Sequence, residues 1–152
     1  MNTTTDNAPL TWSDQFLLGY PTMDDTHREF VDTLHALQTA ADSDVLACLD
    51  AFQRHAEAHF AQENAWMQDT DFPAGQCHID EHKAVLKSVA EVREMVEQGH
   101  VAIARHLAAE LGRWFPGHTD YMDSALAHWM SKRAFGGKPV VFRRQATAAV
   151  AA

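Results

Sequence analysis

The sequence predicts an all-α protein: an antiparallel up-down-up-down four-helix bundle with an N-terminal arm and a short C-terminal tail. Three observations carry that prediction. Apolar residues recur at intervals of three and four through four long stretches, short breaks rich in Gly, Pro and Asp separate them, and the strict alternation of a half-buried strand is absent. The 152 residues, 46% hydrophobic and 22% charged, suffice for one globular domain. The pattern divides them into an arm over residues 1–22, the bundle over 23–132 and a tail over 133–152.

The arm is polar apart from Trp12, Phe16, Leu17 and Leu18, so it is expected to pack down through those side chains. The first helix is read from Met23, with His27, Phe30, Val31, Leu34, Leu37 and Ala41 on one stripe and Asp24 and Asp25 in the electropositive first turn. Ser43 reads as the N-cap of a second helix whose inner stripe is Leu46, Leu49, Phe52, Ala56, His59, Phe60, Glu63, Trp66 and Met67. Residues 69–75 break it.

A third helix is read from Gln76 to Gln98, with His78, His82, Val85, Val89, Val92 and Val96 on one face and Gly99 at its end. The fourth runs from Val101 to Lys132 and stops at Gly136-Gly137. Pro116 lies inside it, lacks an amide donor and crowds the carbonyl four residues earlier, so a kink is expected between Gly112 and Pro116.

The formal net charge is −9, divided into −14 over residues 1–130 and +5 over 131–152. An acidic body argues against nucleic acid as a partner, because phosphate binding needs clustered Lys and Arg. The basic tail (Lys132, Arg133, Lys138, Arg143, Arg144) is read as a solvated, partly mobile end and as the place to look for a protein partner. There is no membrane-span or signal-peptide pattern, which points to a cytoplasmic protein. Cys48 and Cys77 are too few for a disulfide framework or a cysteine-rich metal site and are read as buried or neutral thiols.

The chain has ten histidines, about three times the usual share. Several lie on the apolar stripes rather than on the wet faces. His59 and Glu63 are four apart, as are His78 and His82, so each pair can aim at one point. His-x-x-x-His and His-x-x-x-Glu pairs arise readily by chance. The informative feature is the ordered set: His27 on the first helix, His59 and Glu63 on the second, His78 and His82 on the third, His118 and Asp123 on the fourth. Burying seven such groups together is costly unless a metal satisfies them. His55, His100, His106 and His128 are read as solvated, and His35 as the one most apt to sit beside the site or line a channel to it.

The pattern resembles the hemerythrin family over nearly the whole chain. The resemblance includes Trp12-Ser13-Asp14 and Gly19-Tyr20-Pro21 ahead of Met23-Asp24-Asp25-Thr26-His27, the three ligand spacings above, and Trp114-Phe115 just before His118. It implies a centre of two iron ions, with His78, His82 and His118 on the first iron, His27 and His59 on the second, and Glu63 and Asp123 bridging. That set leaves an open position on the two-histidine iron. The implied function is reversible dioxygen binding for oxygen storage, delivery or sensing; the alternative is a di-iron enzyme (peroxidase, oxidase or nitric-oxide-handling) on the same site. Five imidazoles with two carboxylates suit iron better than a closed zinc site. By position, Phe30, Phe60, Trp114 and Phe115 would line the dioxygen pocket; Phe115 and Pro116 depart from the usual family pattern. The five-residue spacing of His118 and Asp123 turns too far round a regular helix for both to face one point, so a π-bulge or the Pro116 kink is expected there.

Overall fold

The computed structural model describes residues 8–137 and 139–144. The helices are α1 (Pro21–Thr39), α2 (Val45–Asp69), α3 (Gly75–Glu97), α4 (Val101–His118) and α5 (Ser124–Phe135). A π turn over Thr119–Asp123 joins α4 to α5, so the two form one continuous column. Consecutive helices pack side by side and α1 closes against α4, which gives the four-column bundle expected from periodicity. No strand occurs among the described residues.

The element ends differ from expectation in local detail. α1 starts at Pro21, whose missing N–H costs nothing in a first turn, and it stops at Thr39, leaving Ala41 beyond the helix. Ser43 does not cap α2: it lies in the middle of a short 3-10 turn, Asp42–Asp44, that leads directly into the helix. The fourth column continues to Phe135, where Gly136 adopts φ +74° and its N–H bonds the Lys132 carbonyl. Helical structure persists through Pro116 to His118, and the break in regularity falls in the π turn immediately after it.

Two apolar clusters fill the interior. The larger is built from Phe30, Leu34, Leu49, Phe52, Val89 and their neighbours, and the smaller from Leu18, Met23, Met67, Ile79, Leu126 and Ala127. On α1 and on the fourth column the inner-stripe histidines and acid lie between these clusters in sequence, and on α2 and α3 they lie at or beside the junction of the two, so the polar layer falls where the clusters meet.

The arm covers one side of the bundle. Trp12 and Phe16 pack against the larger cluster, and Phe16 lies 5.2 Å from the Phe115 ring. His35 is fixed to this arm, its ring nitrogen 2.9 Å from the Leu10 carbonyl, rather than directed toward the histidine layer. Asp24 ties the arm to α1, because its carboxylate accepts the amide hydrogens of Leu18 at 2.8 Å and Gly19 at 3.0 Å. Part of the tail lies on the arm: Arg143 donates to the Leu17 carbonyl, and the Arg144 amide donates to Asp14. Gly19 makes this approach feasible, since φ is +86° and a Cβ there would come within 2.7 Å of Pro139. Of the tail expected to be partly mobile (residues 133–152), Lys138 and residues 145–152 lie outside the described residues.

Asp24→Ala leaves two shielded amides without acceptors, at a cost of about 1–3 kcal/mol. Urea unfolding measures that loss, and hydrogen exchange at Leu18 and Gly19 is expected to accelerate selectively.

Candidate metal centre

All seven residues of the ordered set are buried, and the bundle brings them into two overlapping groups. Glu63, His78, His82, His118 and Asp123 form one; His27, His59 and Glu63 form the other. Ligand-type atoms within each group lie within 4.8 Å of one another. α1 supplies His27, α2 supplies His59 and Glu63, α3 supplies His78 and His82, and the fourth column supplies His118 and Asp123.

The orientation of the carboxylates is specific. Glu63 Oε2 faces His27 and His59, at 3.2 and 2.9 Å, while Oε1 faces His82 and His78, at 3.3 and 3.6 Å. Asp123 repeats the arrangement, with Oδ2 3.1 Å from His27 and Oδ1 3.0 and 3.3 Å from His78 and His118. Each carboxylate thus directs one oxygen to a three-histidine group and the other to a two-histidine group. All five imidazoles present Nε2 to these oxygens. The π turn makes Asp123 available: the Ser124 amide bonds the Thr119 carbonyl five residues back, and His118 and Asp123 come to face one point.

Protons alone do not satisfy this layer. Glu63 Oε1, Asp123 Oδ1 and His82 Nε2 are buried without a hydrogen-bond partner, although His82 Nε2 and Glu63 Oε1 are only 3.3 Å apart. His78 and His118 point Nε2 at each other across 3.3 Å. A shared cation fits such a donor set, in which the approaches of His82 Nε2, Glu63 Oε1 and Asp123 Oδ1 lack hydrogen-bond alignment.

The electrostatics agree. Burial drives His27 toward its neutral form, but Asp123 and Glu63 outweigh it and push its pKa up to about 10. Burial also opposes charge on His118, yet Asp123 and Glu81 raise its pKa. Burial and Asp123 push Glu63 up; the adjacent imidazoles of His59 and His27 prevail and hold it well below the usual carboxylate range. Asp123 is held low in the same way, burial being overcome by His27 and His118. His82 goes the other way, because burial exceeds the pull of Glu63. Raised His27 and His118 beside lowered Glu63 and Asp123 favour imidazolium paired with carboxylate, a charge balance that a bound cation would replace.

A family model described as the Hemerythrin HHE cation binding domain matches residues 18–130, a span that contains all seven side chains. The chain belongs to the hemerythrin family. Curated hemerythrin relatives agree: a bacteriohemerythrin of Ralstonia nicotianae is 42% identical over 122 residues, covering 80% of this chain and 89% of the relative. A bacteriohemerythrin of Stenotrophomonas maltophilia is 30% identical over 124 residues (79% and 80%), and one of Pseudomonas paraeruginosa 26% identical over 134 residues (82% and 86%).

The four aromatics singled out in this hemerythrin sequence all contact imidazoles of the layer. Phe60 stacks on His82 with centroids 4.0 Å apart and also touches His59; Trp114 stacks on His118 at 4.2 Å. Phe30 meets His59 edge-on, Phe115 meets His27 edge-on, and Phe30 and Phe115 stack on each other at 4.7 Å. Phe30, Phe60 and Phe115 are buried, and Trp114 is half-buried.

Periodicity did not reveal the residues that hold the outer nitrogens. His82 Nδ1 bonds the Asn64 side-chain oxygen at 2.7 Å, and His118 Nδ1 bonds Glu81 at 3.0 Å. His59 Nδ1 meets His55 Nε2 at 3.3 Å, so His55 is half-buried beside the layer, contrary to the solvated reading. An outer acceptor places the proton on Nδ1 and frees Nε2 to donate its lone pair to a metal. His100, His106 and His128 are exposed as expected, and so is Cys77, contrary to the buried alternative; Cys48 is half-buried. Asn64 follows Glu63 and Glu81 precedes His82, and adjacency to a site residue was the only available signal.

Proposed function

We propose that this protein binds dioxygen reversibly at a non-haem di-iron centre, serving oxygen storage, delivery or sensing. The observation that carries this reading is the split of each carboxylate between a three-histidine and a two-histidine group. His78, His82 and His118 would hold one iron, His27 and His59 the other, and Glu63 and Asp123 would bridge the two. A bound iron pair supplies the electrons and the open coordination that reversible dioxygen binding requires.

The protein's own residues have three tasks. Asn64, His55 and Glu81 orient His82, His59 and His118. Glu63 and Asp123 supply the negative charge that offsets the cations. Phe30, Phe60, Trp114 and Phe115 form an apolar wall on the imidazoles, which supports their reading as the lining of a dioxygen pocket from which water and protons are excluded. The ordinary function of such rings as core fits as well, because in a bundle with an internal cofactor the core wall is the pocket wall. No helix is long and apolar enough to cross a membrane among the described residues. The two free cysteines favour a reducing, cytoplasmic setting.

The test is the visible spectrum of iron-loaded, reduced protein through cycles of air and argon. Absorption bands that rise in air and vanish under argon over repeated cycles are the expected result. Immediate, irreversible oxidation on first exposure would overturn the carrier reading in favour of a di-iron enzyme.

A further inference from the structure

Glu81 has no place in the proposed ligand set, yet it contacts the layer in a way no other acid does among the described residues. It lies on α3 between His78 and His82 and reaches across to α4. A single oxygen, Oε1, accepts the indole N–H of Trp114 at 2.7 Å and the Nδ1–H of His118 at 3.0 Å. Trp114 in turn lies nearly flat on His118, with 26° between the planes. One carboxylate therefore fixes this imidazole at its edge directly and at its face through the indole.

The other four imidazoles have no comparable partner. The outer nitrogens of His59 and His82 face an imidazole and a neutral amide, and those of His27 and His78 have no hydrogen-bond partner in the structure. A carboxylate that accepts from an imidazole N–H fixes the tautomer and the ring orientation, and it increases the electron density at the opposite nitrogen. Here that nitrogen is His118 Nε2, 3.3 Å from Asp123 Oδ1.

We propose that Glu81 is a positioning residue of the metal centre, clamping His118 and Trp114 together so that His118 Nε2 is oriented and made a stronger donor in the three-histidine group. The proposal rests on the metal reading above and adds an inequivalence to it: the negatively charged outer acceptor serves the three-histidine side and not the two-histidine side.

The probe is cobalt(II) alone, titrated against a competing chelator into metal-free, full-length wild type, Glu81→Ala, Glu81→Gln and Glu110→Ala. Glu110 is exposed on α4, so its removal subtracts the same charge without touching the layer. Glu81→Ala is expected to bind cobalt 10–100-fold more weakly, with shifted visible ligand-field bands. Glu81→Gln keeps an oxygen that can accept from both N–H groups but loses the charge, so it is expected to restore the band positions and only part of the affinity. Glu110→Ala is expected to match wild type. Wild-type affinity and spectrum in Glu81→Ala, or no recovery in Glu81→Gln, overturn the proposal while leaving the metal reading intact. A wild type that takes up no cobalt overturns the metal reading, and the proposal with it.

Discussion

Glu63→Ala is expected to lose metal from both halves of the centre. Glu63 is shared: Oε2 faces His27 and His59, and Oε1 faces His78 and His82, so one truncation removes an oxygen from each group. Loss of an outer partner alone costs about 10–100-fold in metal affinity, so loss of a shared carboxylate should exceed that range. His82→Ala is expected to lose iron as well, through the three-histidine group. His106→Ala is the control, because His106 is exposed on α4 and should keep a full complement. Iron analysis after desalting, normalised to protein, checks all three variants. Depletion in His106→Ala together with full retention in Glu63→Ala would reverse the assignment.

Removing metal from the intact protein should lower its stability by a comparable margin. A ligand that binds only the folded state at a thousand times its Kd contributes about 4 kcal/mol. For a chain of this length that corresponds to a fall in Tm of roughly 8–16 °C on chelation. The effect should depend on pH in a definite direction. His27 in the metal-free fold holds a proton up to about pH 10, against an ordinary value of 6.5. A raised folded-state pKa stabilises the metal-free fold fully below 6.5, and this contribution is lost as the pH climbs toward 10. On the proposed ligand set metal would displace that proton, so uptake is expected to release protons and to tighten as the pH rises. The Tm gap between loaded and chelated protein is therefore expected to widen over this interval, as paired thermal melts would show.

Most of the fold was legible because helices obey local rules. The recurrence of Leu34, Leu37, Leu49, Phe52, Val85 and Val89 at helical spacing identified the buried faces, and the breaks at residues 69–75 and at Gly99 located the turns. The helix ends were less legible. Ser43 has the right chemistry for a cap, but a 3-10 turn was equally compatible with Asp42-Ser43-Asp44, and one turn's register decides between them. The seven residues were legible as a set because imidazole and carboxylate on an apolar stripe contradict the rest of that stripe.

The sequence by itself determined the four amphipathic columns and the histidines and acids on their inner faces, since both follow from spacing along a single helix. The tertiary structure decided how those residues are shared. That Glu63 and Asp123 each divide between two groups, that Glu81 bonds His118 and Trp114, that His55 backs His59 and that His35 holds the arm all depend on the rotation and axial stagger of helices relative to each other. These are set by side-chain packing across the bundle, and pairs as distant as Glu81 and His118 leave no periodic trace in the chain.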